Sequence, residues 1–265
     1  MSFRFGVVAG QASSGAQWVA TARRAEQLGY DILLVPDTLN TLAPFPALAT
    51  AAASTTTLRV GSYVLSAPNR APGLVAWETR SLQLLSGGRF ELGVGGGRPG
   101  AERDAAAVGG RFGTPAERLQ QVRDTIAAVR HSSPETPILV AASKPRMLAL
   151  AAEEADVVAL GLPPQTSEDE LVRVAGPIKK ELHLNVAAVV ARAEDVPEWV
   201  SRIVGGDPRA MAAAGGIGFL LGSPEEIAAV LRRRQQELGI SYVGVNALFM
   251  DQFAPVISLL ASPTQ

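Results

Sequence analysis

The chain has 265 residues, of which 47% are hydrophobic, and a formal net charge of −1. This length can bury a sizeable core in one large or two small domains, and the charge gives no basic surplus for binding nucleic acid. The absence of cysteine excludes disulfides, thiolate metal sites and cysteine nucleophiles. No apolar stretch has the length of a membrane span and the N-terminal residues lack an export pattern, so we expect a cytoplasmic protein.

The first part of the chain alternates short apolar runs with segments of helical periodicity. The runs predict four strands, and the segments between them predict three helices. The strands are expected at residues 3–9, 31–35, 58–65 and 89–94, and the helices at residues 15–28, 46–53 and 72–85.

The second part continues the alternation after a polar stretch, which is expected to delay the next helix to about Thr114. Thr114, Ser167 and Ser223 are each followed three residues later by glutamate, which predicts three capped helix starts. Helices are expected at residues 114–130, 143–154, 167–182, 223–238 and 251–260, and strands at residues 137–141, 156–160, 185–190 and 241–247. The region from about 195 to 240 is longer and holds about three helical pieces.

Eight short strands, each followed by a helix, predict a (β/α)8 TIM barrel in one domain spanning residues 1–265. The strands are apolar on both faces, as strands covered by helices must be. An open, doubly wound parallel sheet is the alternative. In a closed barrel the active site lies at the carboxyl ends of the strands, so the residues that follow each strand are the candidate site.

These strand ends are poor in acid–base groups. Asp37 is the one carboxylate among them, and His131 and His183 are predicted elsewhere and interpreted as structural or solvated. No metal site is expected, and neither a nucleophile elbow nor a glycine–lysine phosphate loop is present. A rim of glycine, serine, alanine and amide groups favours redox chemistry carried by a bound cofactor over hydrolysis.

The spacing Gly95-x-Gly97-x-x-Gly100 also matches the dinucleotide-binding fingerprint. That fingerprint requires a helix to begin at once, whereas here the next helix is expected near Thr114. The interpretation as a strand–loop corner of a barrel is therefore preferred to a dinucleotide site.

Several stretches resemble the luciferase-like monooxygenase superfamily. The most specific is residues 84–95, Leu-Leu-Ser-Gly-Gly-Arg-Phe-Glu-Leu-Gly-Val-Gly, and further matches lie at residues 25–31, 35–37, 58–65, 145–156 and 222–227. The similarity covers nearly the whole chain and implies a bacterial-luciferase-like TIM barrel. The branch that it is most similar to uses the deazaflavin coenzyme F420, and enzymes using flavin mononucleotide (FMN) are close relatives.

The resemblance implies a set of cofactor-binding residues. Ser62, Tyr63 and Val64 would line one ring face near a non-proline cis peptide at Tyr63–Val64, and a helix start would take the phosphate. Ser66 and Asn69 would contact the ring edge, whereas Ser143 can also be an ordinary helix N-cap. The implied cofactor-binding residues are Asp37, Ser62, Tyr63, Val64, Ser66, Gly95, Gly96, Ala142, Ser143 and Lys144.

The chain also departs from the family. Thr38 stands where the family usually has histidine, and Arg98 stands where some members have an acid. The candidate groups for polarising or protonating a substrate are therefore Thr38 and Asn69. An arginine at position 98 can pair with an anionic substrate or the cofactor tail, although a solvated role is also expected for it.

The resemblance and the departures from it imply three candidate functions. The first is an oxidoreductase that transfers a hydride between F420 and a small organic substrate, and the second is an FMN-dependent monooxygenase of the same fold. The third is a degenerate barrel that binds a ligand without catalysis. The sequence leaves the oligomeric state open, and a homodimer is the candidate, because many barrels of this type pair through helices that flank the early strands.

Overall fold

Eight parallel strands close into a barrel with helices around it. The computed structural model describes residues 2–98 and 100–261. The strands, including three short ones, are β1 (Arg4–Val8), β2 (Ile32–Val35), β3 (Arg59–Ser62), β4 (Leu65–Ser66), β5 (Phe90–Gly95), β6 (Ile138–Ala142), β7 (Val157–Leu160), β8 (Glu181–Val186), β9 (Ala188–Val190), β10 (Phe219–Leu221) and β11 (Ile240–Asn246). The hydrogen-bonded order β3-β2-β1-β11-β8-β7-β6-β5 is closed by pairing of β3 with β5. The predicted (β/α)8 barrel is therefore confirmed, and the open sheet is wrong.

The helices follow the strands in the expected alternation. They are α1 (Gly15–Gln27), α2 (Pro44–Ser54), α3 (Pro72–Ser86), α4 (Glu102–Ala107), α5 (Pro115–Ser132), α6 (Pro145–Glu154), α7 (Glu168–Ala175), α8 (Ser201–Val204), α9 (Pro208–Ala213), α10 (Pro224–Leu238) and α11 (Met250–Ala261). Within the described ranges, none of these helices has the length and apolarity needed to cross a bilayer.

Local sequence sets several helix ends. Complete capping boxes start α5 at Thr114 and α10 at Ser223, as predicted. At α7 the hydroxyl of Ser167 accepts from the backbone N–H of Glu170, and only this half of the predicted box forms. Helix α3 ends on Gly87 with φ of 64°, a left-handed conformation that glycine adopts without steric cost.

The predicted strand at residues 58–65 is interrupted by a cis peptide bond between Tyr63 and Val64, the place that the family resemblance implies. Strand β3 ends before this bond, and the short β4 after it pairs with β5. A side chain at Gly93 would put its Cβ 2.0 Å from the carbonyl oxygen of Ser62. Position 93 therefore has to be glycine for the chain to pass this bulge.

Three of the secondary-structure predictions are wrong. The helix predicted at residues 167–182 ends at Ala175, and β8 begins at Glu181, so His183 lies inside a barrel strand rather than before one. The strand predicted at residues 185–190 is divided between β8 and β9, and β9 pairs with β10 outside the barrel. A short helix, α4, also lies before the helix that begins near Thr114, where no helix was expected.

Ion pairs close the amino end of the barrel. The guanidinium of Arg4 on β1 pairs with Glu91 on β5 and, at 3.1 Å, with Glu181 on β8. Arg59 on β3 donates to the same carboxylate of Glu91 at 2.6 Å. These contacts join four strands at one end and leave the carboxyl ends as the open face.

Candidate functional site

A cavity of about 370 Å³ opens at the carboxyl ends of the strands. This volume lies within the range of small-molecule sites, roughly 300–1,000 Å³. Its walls come from the ends of β2, β5, β6 and β7 and from the bulge between β3 and β4. The lining residues are Pro36, Asp37, Thr38, Tyr63, Val64, Ser66, Gly95, Gly96, Gly97, Arg98, Ala101, Ala141, Ala142, Ser143 and Gly161.

Nine of the twelve residues predicted from the sequence line this cavity. They are Asp37, Thr38, Tyr63, Val64, Ser66, Gly95, Gly96, Ala142 and Ser143. The other three lie outside its lining. The hydroxyl of Ser62 both donates to the carbonyl of Gly93 and accepts from its N–H, Asn69 lies beside Asp37, and Lys144 is exposed.

The carboxylate of Asp37 is held by its neighbours. It pairs with the guanidinium of Arg70, accepts the backbone N–H of Ser66 at 3.0 Å, and accepts from the amide of Asn69 at 3.4 Å. Its side chain is only 7% exposed. Asp37 therefore ties the end of β2 to β4, and its charge is already compensated by Arg70.

The hydroxyl of Thr38 is also engaged. It donates to Oδ1 of Asn40 at 2.6 Å and lies 3.3 Å from the hydroxyl of Thr41. A hydroxyl has one proton, and here Asn40 receives it. For Thr38 to donate to a bound molecule, this hydroxyl has to turn away from Asn40.

Ser66 presents a polar atom that nothing in the described chain satisfies. Its Oγ is buried and has no hydrogen-bond partner, although the residue lines the cavity. Oδ1 of Asn69 is unpaired in the same way next to it. Buried polar groups are nearly always paired in folded proteins, so an unpaired hydroxyl in a cavity wall is typical of a group that meets a ligand.

The glycines in the cavity wall also have a packing role. A Cβ at Gly95 would lie 3.0 Å from a methyl group of Val64, one at Gly96 would lie 3.2 Å from Met147, and one at Gly97 would lie 2.8 Å from Phe112. Side chains at these positions would meet the protein itself before any ligand. Glycine at these positions is therefore explained by packing, and each also leaves bare backbone in the cavity wall.

The start of α6 differs in detail from the prediction. The helix begins at Pro145, so its N-cap is Lys144, whose side chain makes no capping bond. The alternative interpretation of Ser143 as the N-cap is wrong. Ala142 and Ser143 instead face the cavity just before the helix, and a helix N-terminus favours a negative charge there.

Three rings under the cavity wall are a feature that the sequence prediction missed. The ring centroid of His183 on β8 lies 4.7 Å from that of Tyr63 and 4.5 Å from that of Tyr242 on β11. Burial, with a smaller contribution from Arg4, lowers the pKa of His183 to about 3, and neither ring nitrogen has a partner in the described chain. The alternation of apolar and polar residues at Leu182, His183 and Leu184 is the sequence pattern that could have predicted this strand.

Comparison with known proteins agrees with this fold. A sequence profile of the family described as luciferase-like monooxygenase matches residues 1–133. The chain is 27% identical to a 5,10-methylenetetrahydromethanopterin reductase from Methanolobus tindarius over 183 residues, which are 60% of this chain. That match covers 54% of the reductase, little more than half of its length.

Two solved structures illustrate the shared architecture. An F420-dependent secondary alcohol dehydrogenase in complex with an F420–acetone adduct superposes with a TM-score of 0.73 at 16% identity, covering 99% of this chain and 100% of that one. A riboflavin lyase with modified FMN and its substrate riboflavin superposes with a TM-score of 0.72 at 15% identity, covering 98% of this chain and 92% of that one. At these identities the likeness concerns the fold.

Proposed function

The chain belongs to the luciferase-like monooxygenase family, and from this membership we propose that its rim cavity binds a planar redox cofactor, with coenzyme F420 as the first candidate. The protein is then an oxidoreductase that transfers a hydride between F420 and a small organic substrate. The observation that carries the proposal is the buried, unpaired Oγ of Ser66 in the wall of a cavity with bare glycine backbone.

The residues present fit such a cofactor. Tyr63 and Val64 would lie against one ring face, Ser66 would satisfy a polar atom at the ring edge, and Ala142 with Ser143 would take a phosphate at the start of α6. When bound, a deazaflavin supplies hydride transfer, chemistry that no side chain of the protein can supply. The protein contributes orientation and exclusion of water.

In this proposal Thr38 polarises or protonates the substrate, and Asn69 acts indirectly. Thr38 lines the cavity and would polarise a substrate oxygen once its hydroxyl turned from Asn40. Asn69 lies outside the lining, so it would act by holding Asp37 and the chain after β4 in place. Arg98, which lines the cavity and pairs with Asp104 at 2.9 Å, is the cation available to an anionic cofactor tail.

FMN is the second candidate cofactor, in an enzyme that activates oxygen as a monooxygenase. The riboflavin lyase with modified FMN supports this alternative, and the F420-dependent secondary alcohol dehydrogenase supports the first. A barrel that binds a ligand without catalysis is the third candidate. Its support is that Asp37 and Thr38 are both engaged with protein atoms.

Titration of the purified protein with each cofactor tests the proposal. We expect F420 fluorescence to change on binding, and Ser66→Ala to weaken binding about fivefold through loss of one hydrogen bond. Ser81→Ala is the matched control, because Ser81 is exposed on α3 and its hydroxyl bonds only its own helix. Tight binding of FMN alone would favour the monooxygenase, and failure of both cofactors to bind at tens of micromolar would favour the non-catalytic barrel.

The cytoplasmic location and the homodimer stay predictions. Light scattering of the purified protein tests the homodimer.

A further inference from the structure

A second cavity, of about 600 Å³, opens on the same face of the barrel. It lies at the carboxyl ends of β1 and β11 and under the loop that follows β2. The lining residues are Gly10, Gln11, Ala12, Ser13, Gln17, Asn40, Thr41, Leu42 and Leu248. We call it the amide cavity, because two glutamines and an asparagine supply most of its polar groups.

The amide cavity contains no ionisable side chain among its lining residues. Nδ2 of Asn40, Nε2 of Gln17 and Oε1 of Gln11 have no hydrogen-bond partner in the described chain, although the other amide atoms of these residues are engaged. Leu42 and Leu248 add an apolar wall, and the side chain of Leu248 is 66% exposed. This lining offers two donors, one acceptor and apolar surface, and it offers no charge to neutralise an ion.

The two cavities meet at Thr38. Thr38 lines the glycine-rich cavity, whereas Asn40 and Thr41, which its hydroxyl contacts at 2.6 and 3.3 Å, line the amide cavity. The backbone fixes this junction, because the N–H of Leu42 donates to the carbonyl of Gly10 at 2.7 Å. A Cβ at Gly10 would lie 3.0 Å from side-chain atoms of Pro36 and Thr41, so a larger residue there would push the loop away from β1.

From this arrangement we propose that the amide cavity binds the substrate, and that the substrate is an uncharged molecule with an apolar body and a carbonyl or amide group. The proposal rests on the proposed function, since a redox enzyme needs a second ligand next to its cofactor. Gln11, Gln17 and Asn40 are exposed, so the cavity is open to water. An ion would find no opposite charge among the lining side chains, whereas a carbonyl or amide group would find unpaired donors and an acceptor, so anionic and cationic substrates are disfavoured. Thr38 is then the residue that both ligands approach.

Three isosteric probes, benzamide, benzoate and benzamidine, test this preference by ligand-observed NMR. We expect wild-type protein to bind benzamide with about millimolar affinity, as suits a molecule of this size, and to bind the two ions at least fivefold more weakly. Asn40→Asp and Gln11→Glu keep the shape and the acceptor atoms but add a negative charge. Each should weaken benzamide binding about fivefold and shift the preference to benzamidine. Gln236→Glu, on the exposed face of α10, is the matched control and should change nothing.

The results separate this inference from the proposed function. Benzamide binding that follows the expected pattern supports the inference even if neither F420 nor FMN binds, in which case only the cofactor proposal fails. Cofactor binding together with equal affinity for benzoate, absence of benzamide binding at about 10 mM, or insensitivity to both charge variants would overturn the inference and leave the cofactor proposal standing.

Discussion

The imidazole of His183 lies 4.7 Å from the phenol ring of Tyr63, directly behind the wall of the glycine-rich cavity. Burial lowers the pKa of His183 to about 3 and raises the pKa of the Tyr63 phenol. Both rings are therefore uncharged at neutral pH, and this wall presents a neutral surface to a bound molecule.

The neutral state of His183 makes stability depend on pH. An unfolded histidine has a pKa near 6.5, so between pH 6.5 and about 3 the unfolded chain takes up a proton that the folded chain does not. The contribution of the neutral His183 to the free energy of unfolding is fully present above pH 6.5. It decreases as the pH is lowered, with a slope of up to about 1.4 kcal/mol per pH unit. Urea denaturation at pH 7 and pH 5 measures this loss.

His183→Gln removes the buried titrating group and should flatten the difference between pH 7 and pH 5. His131→Gln, at an exposed position on α5, should leave it as in the wild type. It also leaves His183 as the one histidine, whose ring signals in NMR should stay those of a neutral imidazole down to about pH 4. A protonated ring at pH 6 would contradict this.

Gly93→Ala should be severely destabilising. The new Cβ would overlap the carbonyl oxygen of Ser62, which is a backbone atom and cannot turn away as the end of a side chain could. We expect a loss of more than about 3 kcal/mol or failure to fold. Gly73→Ala in α3 is the control, because its Cβ would meet nothing within 4 Å, and it should be neutral or slightly stabilising. Equal thermal midpoints for the two variants would argue against the bulge geometry.

The Asp37–Arg70 pair should show strong coupling. Both side chains are largely buried, at 7% and 18% exposure, so removing either leaves an uncompensated charge. Arg70→Met is expected to cost about 3 kcal/mol, and adding Asp37→Asn to it should recover part of that loss. Denaturant titrations of the two single variants and the double variant give the coupling energy. Simple additivity would mean that the pair is not formed.

Glu26 should contribute to stability above about pH 4.5 and lose its effect as the pH falls toward 2. Burial acts to raise the pKa of Glu26, but the backbone N–H groups of Thr57, Leu58 and Thr56 outweigh it and hold the pKa at about 2. Glu26→Gln should lower stability at pH 7 by about 1 kcal/mol and reduce the acid loss. Glu237→Gln, an exposed change on α10, should do neither. Acid denaturation curves compare the three proteins.

Local sequence predicted the barrel because most strands are apolar runs between well-marked helix starts. It failed at β8, where Glu181, His183 and Asn185 alternate with apolar residues. Glu181 pairs with Arg4, 177 residues away in the chain, and His183 packs between Tyr63 of the bulge after β3 and Tyr242 of β11. These contacts join residues that are far apart in the chain, so a local sequence pattern cannot predict them.

The candidate site was predictable where a strand end alone determines it, as at Asp37, Gly95 and Ala142. Prediction was weaker where the hydrogen-bond partners of a side chain decide whether it faces the cavity. The hydroxyl of Ser62, within the predicted strand 58–65, turns into the sheet toward Gly93, and Asn69, which follows that strand, turns toward Asp37. Of the amide cavity, only Gly10, Gln11 and Leu248 directly follow predicted strands. Its other lining residues come from the start of α1 and the loop after β2, and they carry no recognisable motif.

The ion pairs of Arg4 and Arg59 with Glu91, and of Arg4 with Glu181, occupy the amino end of the barrel. Both cavities lie at the other end, so the side chains that hold the strands together and those that can meet a ligand are separated along the barrel axis. Substitutions among the four ion-paired residues are therefore expected to change the stability of the barrel before they change what it binds.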